Sequence, residues 1–327
     1  MIGKESPLVT VCTLSYNNGR YVLDGLDSVR AQTHTNIQHL IADDCSIDNS
    51  VALIEDWIKR HRYKCTFIKR SVNIGVCKGL NKFLQLAEGK YVAFVSDDLW
   101  LPTHLFGAIS ILEEQSKEVG AIYSDCYQSD AQGNLAPELL IAHNHRFSEM
   151  PQGYIGERLW EGNFIPALSV VVRRECFNKV GGFDENLVYE DWDMWLRLSQ
   201  FYQFIYSPIP RAIYRIIPTS MMQSRGAAIS ASTDRILVKG LISGRLPSHM
   251  RTHALEKLRN GAVSSYFLQS KDAAFFLRNA VRFSRRNSYF VMYIFCILGI
   301  PPSIYKRIGI VWSRVRALLV RSPRAHG

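Results

Sequence analysis

The chain has 327 residues, of which 47% are hydrophobic and 21% are charged, values that fit a globular protein with a sizeable core. Its seven cysteines are scattered and form no Cys-x-x-Cys pair, which argues against a zinc site or a disulfide scaffold and favours a reducing, cytosolic setting. The N-terminal residues enter a strand pattern almost at once, so the sequence predicts no signal peptide.

The net charge of +10 is unevenly distributed along the chain. Residues 1–224 contain 21 Lys and Arg against 26 Asp and Glu, whereas residues 225–327 contain 18 against 3. A strongly basic region on a mildly acidic body favours an anionic partner, either nucleic acid or an anionic membrane. Nucleic acid is the less favoured of the two, because the sequence contains no recognised nucleic-acid-binding module.

Apolar strand-like runs alternate with amphipathic helical segments in the first hundred residues. The predicted strands cover 8–15, 36–44, 65–70 and 91–96, and the predicted helices cover 20–32, 50–61 and 76–87. This alternation indicates a parallel sheet covered by helices on both faces. Ligands of such sheets bind outside the carboxyl ends of the strands. We therefore expect the loops YNNGR, DDCSIDNS and SDDLW to share one crevice.

The order of elements is less regular after residue 118. Strands are predicted at 119–125, 167–174, 204–208 and 211–215, and a helix at 190–201. From about residue 226 the pattern becomes helical, with segments at 229–244, 248–269 and 271–285. These patterns predict an α/β domain over residues 1–224 and a basic, mainly helical region over residues 225–327.

An apolar run of twelve residues, 289–300, lies in the basic region and is stopped by two prolines. Spanning a bilayer takes ~20 apolar residues, so this run is too short for a standard transmembrane helix. Basic residues on both sides suit a helix that lies in the membrane interface. The alternative is a terminal helix that packs on the core with its basic face in water.

Two adjacent carboxylates, Asp97 and Asp98, come directly after a predicted strand. Like charges at the mouth of a buried strand need a compensating cation or hydrogen bonds. The sequence contains neither a P-loop nor a GxGxxG turn, which favours Mg²⁺ or Mn²⁺ held by carboxylates as the means of binding a phosphate. The alternative is that the pair caps the helix that begins near Pro102.

Asp44 also ends a predicted strand, where a fixed carboxylate can accept a hydrogen bond from a base N–H or a ribose hydroxyl. Ser46 and Asp48 follow at the start of a helix and are interpreted as capping residues. Asp191 lies in the first turn of a helix, where a carboxylate suits the helix dipole, so a capping role and a chemical role both stay open.

The spacing within the helix at 190–201 separates two faces. Trp192 and Trp195 fall on an apolar face that is expected in the core. Asp193 and Arg197, four residues apart, are expected to form an ion pair on the surface.

These pieces, taken in order, resemble a family 2 nucleotide-sugar glycosyltransferase of the glycosyltransferase A fold. The matching residues are Tyr16, Asn17, Asp43, Asp44, Ser46, Asp48, Asn73, Gly75, Asn81, Gly89, Asp97, Asp98, residues 181–185, Glu190, Asp191, Tyr214 and Arg215. The resemblance covers about residues 7–222 and does not extend to the last hundred residues. It implies a Rossmann-like, mixed, mainly parallel sheet with helices on both faces, followed by a C-terminal helical extension.

The resemblance implies an inverting, metal-dependent transfer from a nucleoside-diphosphate sugar, most simply a UDP-sugar, to a hydroxyl of a saccharide or lipid-linked saccharide. It divides residues 1–224 into a nucleotide-binding half, about 1–118, and an acceptor half, about 119–224. The nucleobase contact falls on Asp44, the Mg²⁺ or Mn²⁺ ligand on Asp98 with help from Asp97, and the catalytic base on Asp191. Further candidates are Ser15, Tyr16, Asn17, Asn73 and Lys78 on the donor, and Glu190 and Trp192 on the acceptor or donor side.

The sequence departs from the family pattern at four places. Val95 stands where the family often has a further acid, and Cys45 replaces the usual glycine, which disfavours a turn with positive φ. Leu80 replaces an arginine, which leaves Lys78 as a phosphate-binding candidate. The histidine often found shortly after Tyr-Arg is missing, and residues 216–218 occupy its region.

The sequence-based interpretation places the protein in the cytoplasm, peripherally on the inner face of the cell membrane, in bacterial surface polysaccharide (O-antigen or capsule) synthesis. One alternative is transfer to a polyprenyl phosphate, an acceptor that needs no deprotonation. Another is a non-catalytic nucleotide-sugar-binding or scaffold protein, which Val95 and the missing histidine favour and the intact carboxylate pairs oppose.

Overall fold

The computed structural model describes residues 6–217, 226–284 and 286–308. They fall into two compact units that divide between residues 229 and 230. The first unit holds every sequence-predicted site residue, and the second is helical.

A seven-stranded sheet forms the centre of the first unit. Its strands are β1 (Val9–Ser15), β2 (Ile37–Asp43), β3 (Thr66–Lys69), β4 (Tyr91–Phe94), β6 (Val119–Ser124), β8 (Val171–Arg173) and β9 (Gln203–Ser207). They lie in the order β3-β2-β1-β4-β8-β6-β9. All neighbours are parallel except that β8 runs antiparallel to β4 and β6. The predicted mixed, mainly parallel sheet is confirmed.

A second, three-stranded sheet lies beside the site. It consists of β5 (Leu99–Trp100), β7 (Tyr127–Ser129) and β10 (Ala212–Arg215), in the order β5-β10-β7. The sequence predicted the strand near 211–215 but not its pairing with residues that directly follow β4. This pairing brings Tyr214 and Arg215 next to the loop that carries Asp97 and Asp98.

Helices cover the sheet on both faces, as predicted. They are α1 (Val22–Arg30), α2 (Ser50–His61), α3 (Val76–Leu86), α4 (His104–Glu114), α5 (Leu140–Asn144), α6 (Gly156–Glu161), α7 (Arg174–Val180) and α8 (Glu190–Leu198). Strand β1 is buried along almost its whole length, and its residues Val9 and Val11 pack into one apolar cluster. One cluster contains Val9, Val11 and Leu105, and another joins Leu26, Ile41 and Trp57.

The second unit is helical in its described residues. Its helices include α9 (Gly226–Ser243), α10 (Arg251–Phe267), α11 (Ala273–Ser284) and α12 (Asn287–Ile297), and residues 302–308 are helical as well. Helices α10 and α11 pack closely at Gly261, where an added Cβ would lie 2.7 Å from the ring of Phe276. Among the described residues, no helix is both long enough and apolar enough to cross a membrane.

Candidate active site

The loops that follow β1 and β2 are joined by hydrogen bonds. The backbone N–H of Asn17 donates to Ser46 Oγ at 2.8 Å, and the N–H of Ile47 donates to Asn17 Oδ1 at 2.9 Å. The N–H of Gly19 donates to Asp48 Oδ2 at 3.0 Å. The loops YNNGR and DDCSIDNS therefore form one rigid wall at the carboxyl edge of the sheet, as the strand order predicted.

Ser46 and Asp48 differ from each other in their roles. Asp48 lies one residue before Asn49, the N-cap of α2, and bonds the first turn of the helix by accepting from the N–H and the hydroxyl of Ser50 at 3.0 and 2.5 Å. Ser46 instead bonds Asp43: its N–H and its hydroxyl donate to the two carboxylate oxygens at 2.8 and 2.6 Å. Ser46 thus fixes the turn after β2 rather than the start of α2.

Asp44 is a buried carboxylate that the protein itself largely satisfies. Its Oδ1 accepts from Arg70 Nη1 at 3.0 Å and from the N–H of Ile74 at 3.1 Å, and its Oδ2 accepts from the N–H of Gly75 at 2.9 Å. A carboxylate has about four acceptor positions, so one position on Oδ2 stays open for a ligand N–H. Asp44 is both a structural centre of this loop and a candidate ligand contact.

Arg70 is a residue of this region that the sequence reasoning missed. It directly follows β3, and its side chain is only 9% exposed where it pairs with Asp44. Its Nη2 has no hydrogen-bond partner among the described residues. Gly79 leaves room for it, because a Cβ there would lie 3.1 Å from Arg70 Nη1. Its place directly after a strand, at the same sheet edge as Asp44, is the signal that could have found it.

The other donor-side candidates differ in accessibility. Ser15 ends β1 and is buried, with a hydroxyl that has no partner among the described residues. Tyr16 is 44% exposed, and Lys78 is exposed on α3. Asn73 is exposed and accepts from the N–H of Gly75 at 3.1 Å. Tyr16 and Lys78 are thus free to contact a ligand, whereas Ser15 forms the floor of the crevice.

Cys45 keeps the backbone that the family glycine would adopt. Its φ is 68°, in the left-handed region that costs a residue with a Cβ roughly 1–2 kcal/mol. The turn forms although cysteine disfavours this conformation, because the bonds made by the two preceding residues, Asp43 and Asp44, fix the loop. The position therefore stores strain.

The loop with Asp97 and Asp98 is seated on α1. The hydroxyl of Ser96 donates to the carbonyl of Leu14 at 2.6 Å. A Cβ at Gly25 of α1 would lie 2.3 Å from the carbonyl oxygen of Ser96, so only glycine allows this approach. Strand β10 holds the other side, since the N–H of Arg215 donates to Asp98 Oδ1 at 2.8 Å.

The electrostatics of this pair are unfavourable without a ligand. Burial, together with the neighbouring charge of Asp97, raises the pKa of Asp98 to about 8. Burial also raises the pKa of Asp97, and Arg215 acts in the opposite direction on both carboxyls. The structure shows no side-chain hydrogen bond capping the start of α4, so the capping alternative is not supported.

Arg215 is buried beside the aspartate pair. Its Nη2 donates to Asp24 Oδ2 at 2.8 Å, and its guanidinium carbon lies 4.6 Å from the centre of the Tyr21 ring. Its Nε and Nη1 have no hydrogen-bond partner among the described residues. The missing histidine concerns residues 216–218, of which residue 218 lies outside the described residues.

Asp191 and Glu190 form the second carboxylate pair, at the start of α8. Asp191 Oδ1 accepts from the N–H of Trp192 at 2.7 Å, and Oδ2 accepts from Asn163 Nδ2 at 3.1 Å. Burial raises the pKa of Asp191 to about 6. Burial, together with the charge of Asp191, raises the pKa of Glu190 to about 8. As the pH rises, Asp191 therefore loses its proton before Glu190 does.

Tyr214 on β10 lies close enough to both carboxylate pairs to be affected by their charges. Its side chain is partly buried, and burial together with the charges of Asp98, Asp97 and Asp191 raises its pKa to about 12. One phenol therefore senses carboxylates from the end of β4 and from the start of α8, which are far apart in the sequence. The structure brings both pairs to the same region.

The remaining residues of α8 serve mainly the scaffold. Trp192 is 5% exposed, and its indole N–H donates to the carbonyl of Leu159, so the structure places this candidate in the core. The expected surface pair of Asp193 and Arg197 is instead largely buried, with Asp193 3% exposed and a 2.8 Å contact between the charged groups. The expectation was wrong because Arg197 also donates to the carbonyl of Val180, which draws the pair inward.

Asn81 holds the loop that leads into α8. Its side chain accepts from the N–H of Phe183 at 2.7 Å and donates to the carbonyl of the same residue at 3.0 Å. A Cβ at Gly182 would lie 2.3 Å from Asn81 Oδ1, which requires glycine there. The Gly-Gly-Phe-Asp-Glu motif is thus a structural connection between α3 and the second carboxylate pair.

The donor set suits a hard divalent cation. Within the described residues, no group of three or more His, Cys, Asp or Glu side chains is arranged to hold a metal. Mg²⁺ characteristically binds through one or two carboxylates, with waters and phosphate oxygens completing its shell. Asp97 and Asp98 match that pattern, and their raised pKa values indicate a site that a cation would relieve.

Comparison with known proteins decides the family. Residues 10–156 match the model of glycosyl transferase family 2. This part of the chain belongs to that family. The matched range contains the loops after β1, β2 and β4, and so the whole wall around Asp44, Asp97 and Asp98. By this match, residues 10–156 resemble a glycosyltransferase domain.

Relatives of this family 2 domain include proteins from archaea and bacteria. An uncharacterized glycosyltransferase of Methanocaldococcus jannaschii is 29% identical over 212 residues, covering 62% of this chain and 69% of that protein. An uncharacterized glycosyltransferase of Rickettsia typhi is 28% identical, over 60% of this chain and 61% of that protein. A putative teichuronic acid biosynthesis glycosyltransferase of Bacillus subtilis is 36% identical over 112 residues, 34% of this chain and 44% of that protein.

Solved structures share the fold. The mannosyltransferase PcManGT from Pyrobaculum calidifontis, in complex with GDP-Man and Mn²⁺, has a TM-score of 0.57 at 17% identity, covering 89% of this chain and 84% of that chain. S. aureus TarS 1-349 in complex with UDP-GlcNAc has a TM-score of 0.55 at 17% identity, covering 88% and 79%. These likenesses confirm the predicted glycosyltransferase A-type fold.

Proposed function

We propose that the protein transfers a sugar from a nucleoside-diphosphate sugar, a UDP-sugar in the simplest case, to a hydroxyl of a saccharide or lipid-linked saccharide, with inversion. The observation that supports it most is the convergence of the two carboxylate pairs on Tyr214 within a family 2 domain. One pair suits the diphosphate and its cation, and the other contains a base.

Asp191 is the proposed general base. A sugar hydroxyl is a poor nucleophile, so a carboxylate that takes its proton during attack accelerates transfer by roughly 10²–10⁴-fold. With a pKa of about 6, Asp191 is ionised at neutral pH and still basic enough to accept a proton. No partner carboxylate with the geometry of a second nucleophile is evident among the described residues, and a single displacement inverts the anomeric carbon.

Asp98 and Asp97 are the proposed ligands of Mg²⁺ or Mn²⁺. Bound there, the cation supplies Lewis-acid stabilisation of the charge that gathers on the departing diphosphate. The backbone N–H of Arg215 bonds Oδ1 of Asp98, and in the described contacts no hydrogen bond is made to Oδ2 of that carboxylate. Asp44 and Arg70 form the proposed base-binding side, with Tyr16 available to lie against the base and Lys78 available to the phosphates.

The direct test measures release of nucleoside diphosphate and the anomeric configuration of the product, with a panel of UDP- and GDP-sugars and saccharide acceptors. We expect Asp191→Asn to lower transfer by about 10²–10⁴-fold. Glu157→Gln, at an exposed carboxylate on α6, is the matched control and should transfer at the wild-type rate. Transfer by Asp191→Asn to a hydroxyl acceptor at the wild-type rate would contradict the proposed mechanism.

Two other functions predict different results. Transfer to a polyprenyl phosphate needs no deprotonation, so Asp191→Asn would then barely matter with that acceptor. A non-catalytic nucleotide-sugar-binding or scaffold protein would bind donor but release no nucleoside diphosphate with any acceptor. The intact pairs Asp97-Asp98 and Glu190-Asp191 favour the enzyme over both alternatives.

We also propose that the second unit attaches the enzyme peripherally to an anionic membrane, the setting of cell-surface polymer synthesis. Helix α12 exposes one apolar side, with Phe290 54%, Ile294 37% and Ile297 59% exposed. Exposed cations flank it in the sequence, namely Arg282, Arg286, Lys306 and Arg307. An apolar helix face bordered by Lys and Arg suits the headgroup region of anionic lipids.

Co-sedimentation with vesicles tests this attachment. The protein should bind phosphatidylglycerol-rich vesicles more tightly than phosphatidylcholine vesicles, and less tightly as salt rises. Phe290→Asp combined with Ile294→Asp should lower binding at least tenfold, whereas Leu135→Asp, at an apolar side chain 57% exposed in the first unit, should not. Salt-sensitive binding to polynucleotide without vesicle binding would instead indicate a nucleic-acid partner.

A further inference from the structure

We propose that Asn163 is a positioning residue for Asp191: its side-chain amide holds the carboxylate in the orientation in which it receives the acceptor's proton. The inference rests on the proposed role of Asp191 as the general base. The structure places Asn163 against the reacting carboxylate itself.

The orientation of the Asn163 amide is fixed by its other contacts. Its Oδ1 accepts from the backbone N–H of Ile165 at 3.2 Å, so the amide nitrogen faces the other way, toward Asp191 Oδ2 at 3.1 Å. The hydroxyl of Tyr189, the residue before the carboxylate pair, also bonds this side chain. Rotating the amide by 180° would set its oxygen against the Asp191 carboxylate and its NH₂ group against the N–H of Ile165, so both hydrogen bonds would be lost.

The segment that carries Asn163 is anchored in the core. Phe164 and Ile165, the next two residues, are 4% and 2% exposed. Helix α6, just before it, is tied to α8 because the indole of Trp192 donates to the carbonyl of Leu159. The contact from Asn163 therefore joins two elements that already have a fixed relation, and it does not depend on a mobile loop.

The two oxygens of Asp191 are held from opposite sides. Oδ1 receives the backbone N–H of Trp192, and Oδ2 receives the amide of Asn163, which fixes rotation of the carboxylate. Each oxygen keeps a further lone pair for the acceptor hydroxyl. Both donors favour the ionised form and oppose the upward effect of burial on the pKa of Asp191.

Removal of Asn163 has a specific consequence. The titratable groups that face Asp191 are Glu190, Tyr189 and Tyr214. In the described contacts none of these three side chains donates a hydrogen bond to Asp191, so none of them replaces the lost amide donor. Without Asn163, the carboxylate should therefore bind its proton more tightly and rotate more freely.

The test measures transfer as a function of pH for Asn163→Ala, Asn163→Asp and Asn163→Ser, with donor affinity and melting temperature measured on the same samples. For Asn163→Ala we expect kcat to fall about 10–100-fold, the acidic limb to move upward from about pH 6, and donor Kd to stay within twofold. Asn163→Asp should move the limb further, because a second charge opposes ionisation. Asn163→Ser, which keeps a donor, should recover part of the rate.

The matched control is Asn144→Ala, an exposed asparagine on α5 whose amide bonds only a backbone carbonyl of its own helix in the described contacts. It should leave the pH profile unchanged. An unchanged kcat in Asn163→Ala, or a loss that is equal at every pH and follows a lowered melting temperature, would overturn the proposal. If Asp191→Asn is inactive while Asn163→Ala is normal, only this inference fails. If Asp191→Asn is fully active, the proposed function fails.

Discussion

Two carboxylate regions of the first unit differ in how far the protein satisfies them. Asp44 accepts from the backbone N–H groups of Ile74 and Gly75 and from the buried Arg70. Asp98 has one backbone donor, Glu190 lies against Asp191, and both Asp98 and Glu190 have pKa values raised to about 8. The protein's own donors satisfy most of the first region, whereas the second becomes favourable only when a cation or a proton arrives.

The difference separates carboxylates that stabilise the fold from carboxylates that are available for chemistry. A buried carboxylate with full hydrogen bonding stabilises the loops around it, and removal of its partner is costly. Carboxylates that are left under-compensated destabilise the folded chain and gather at sites that bind cations or move protons. The predictions below separate the two regions by stability as well as by activity.

The largest expected effect on stability is at Asp44. Asp44→Ala leaves Arg70 buried without its partner and frees the N–H groups of Ile74 and Gly75, which should cost about 3–5 kcal/mol. The matched control is Asp56→Ala, which breaks an exposed pair with Arg60 and should cost about 0–1 kcal/mol. Denaturant unfolding measures both, and equal costs would show that the Asp44 region is not the scaffold described here.

Gly25→Ala should have the next largest effect. The new Cβ would lie 2.3 Å from the carbonyl oxygen of Ser96, so the loop with Asp97 and Asp98 must move. We expect a loss of about 1–3 kcal/mol and of most metal-dependent nucleotide binding. Gly226→Ala, where an added Cβ meets nothing within 4 Å, is the control. Unchanged nucleotide binding in Gly25→Ala would contradict the close seating of this loop on α1.

Glu190→Gln should change how stability depends on pH. The folded-state pKa of Glu190 is raised to about 8, above its value in the unfolded chain. The folded state therefore holds a proton that the unfolded state has released, and stability falls as pH rises from about 4 to about 8. Glutamine does not ionise, so the variant lacks this fall in stability with rising pH. Its melting temperature should therefore exceed that of wild type at pH 8 and approach it at pH 4. A difference in melting temperature that stays constant between pH 4 and pH 8 would contradict the raised pKa of Glu190.

The smallest expected effect is a gain at Cys45. Cys45→Gly removes a side chain from a residue with a φ of 68° and should stabilise the protein by about 1 kcal/mol. The matched comparison outside the site is Arg62→Gly. Arg62 ends α2 with a left-handed φ of 46°, so the same substitution tests the effect of removing a side chain from this backbone conformation. Denaturant unfolding without ligand measures both changes. A loss of stability in Cys45→Gly would show that the Cys45 side chain contributes more through its own contacts than the backbone costs.

Much of the first unit was predictable from local pattern. Alternating strands and helices predicted the parallel sheet, and the carboxyl-edge rule placed Asp44, Asp97 and Asp98 at one edge of it. The second sheet was not predictable, because β5 is only two residues long and its pairing with β10 joins segments more than a hundred residues apart. The same separation hid the convergence at Tyr214, which the sequence supplied only through family resemblance.

Side-chain partners were the least predictable part. Nothing local links Asn163 to Asp191, which lies 28 positions further along the chain. The Asp193–Arg197 pair has the spacing of an exposed helix pair, but tertiary contacts bury it. The α12 helix was expected from its apolar run, and the structure adds which of its side chains are exposed.

Calorimetric titration of UDP, with and without Mn²⁺, into wild type, Asp98→Asn and Asp191→Asn tests the central claim most directly. In the proposed mechanism Asp97 and Asp98 bind the cation and the diphosphate, and Asp191 acts only as the base. Mn²⁺ should therefore strengthen UDP binding at least tenfold in wild type and in Asp191→Asn. It should not strengthen UDP binding in Asp98→Asn. Asp191→Asn should meanwhile be the variant that binds donor normally and does not transfer. The same Mn²⁺ gain in Asp98→Asn as in wild type, or its loss in Asp191→Asn, would contradict the account.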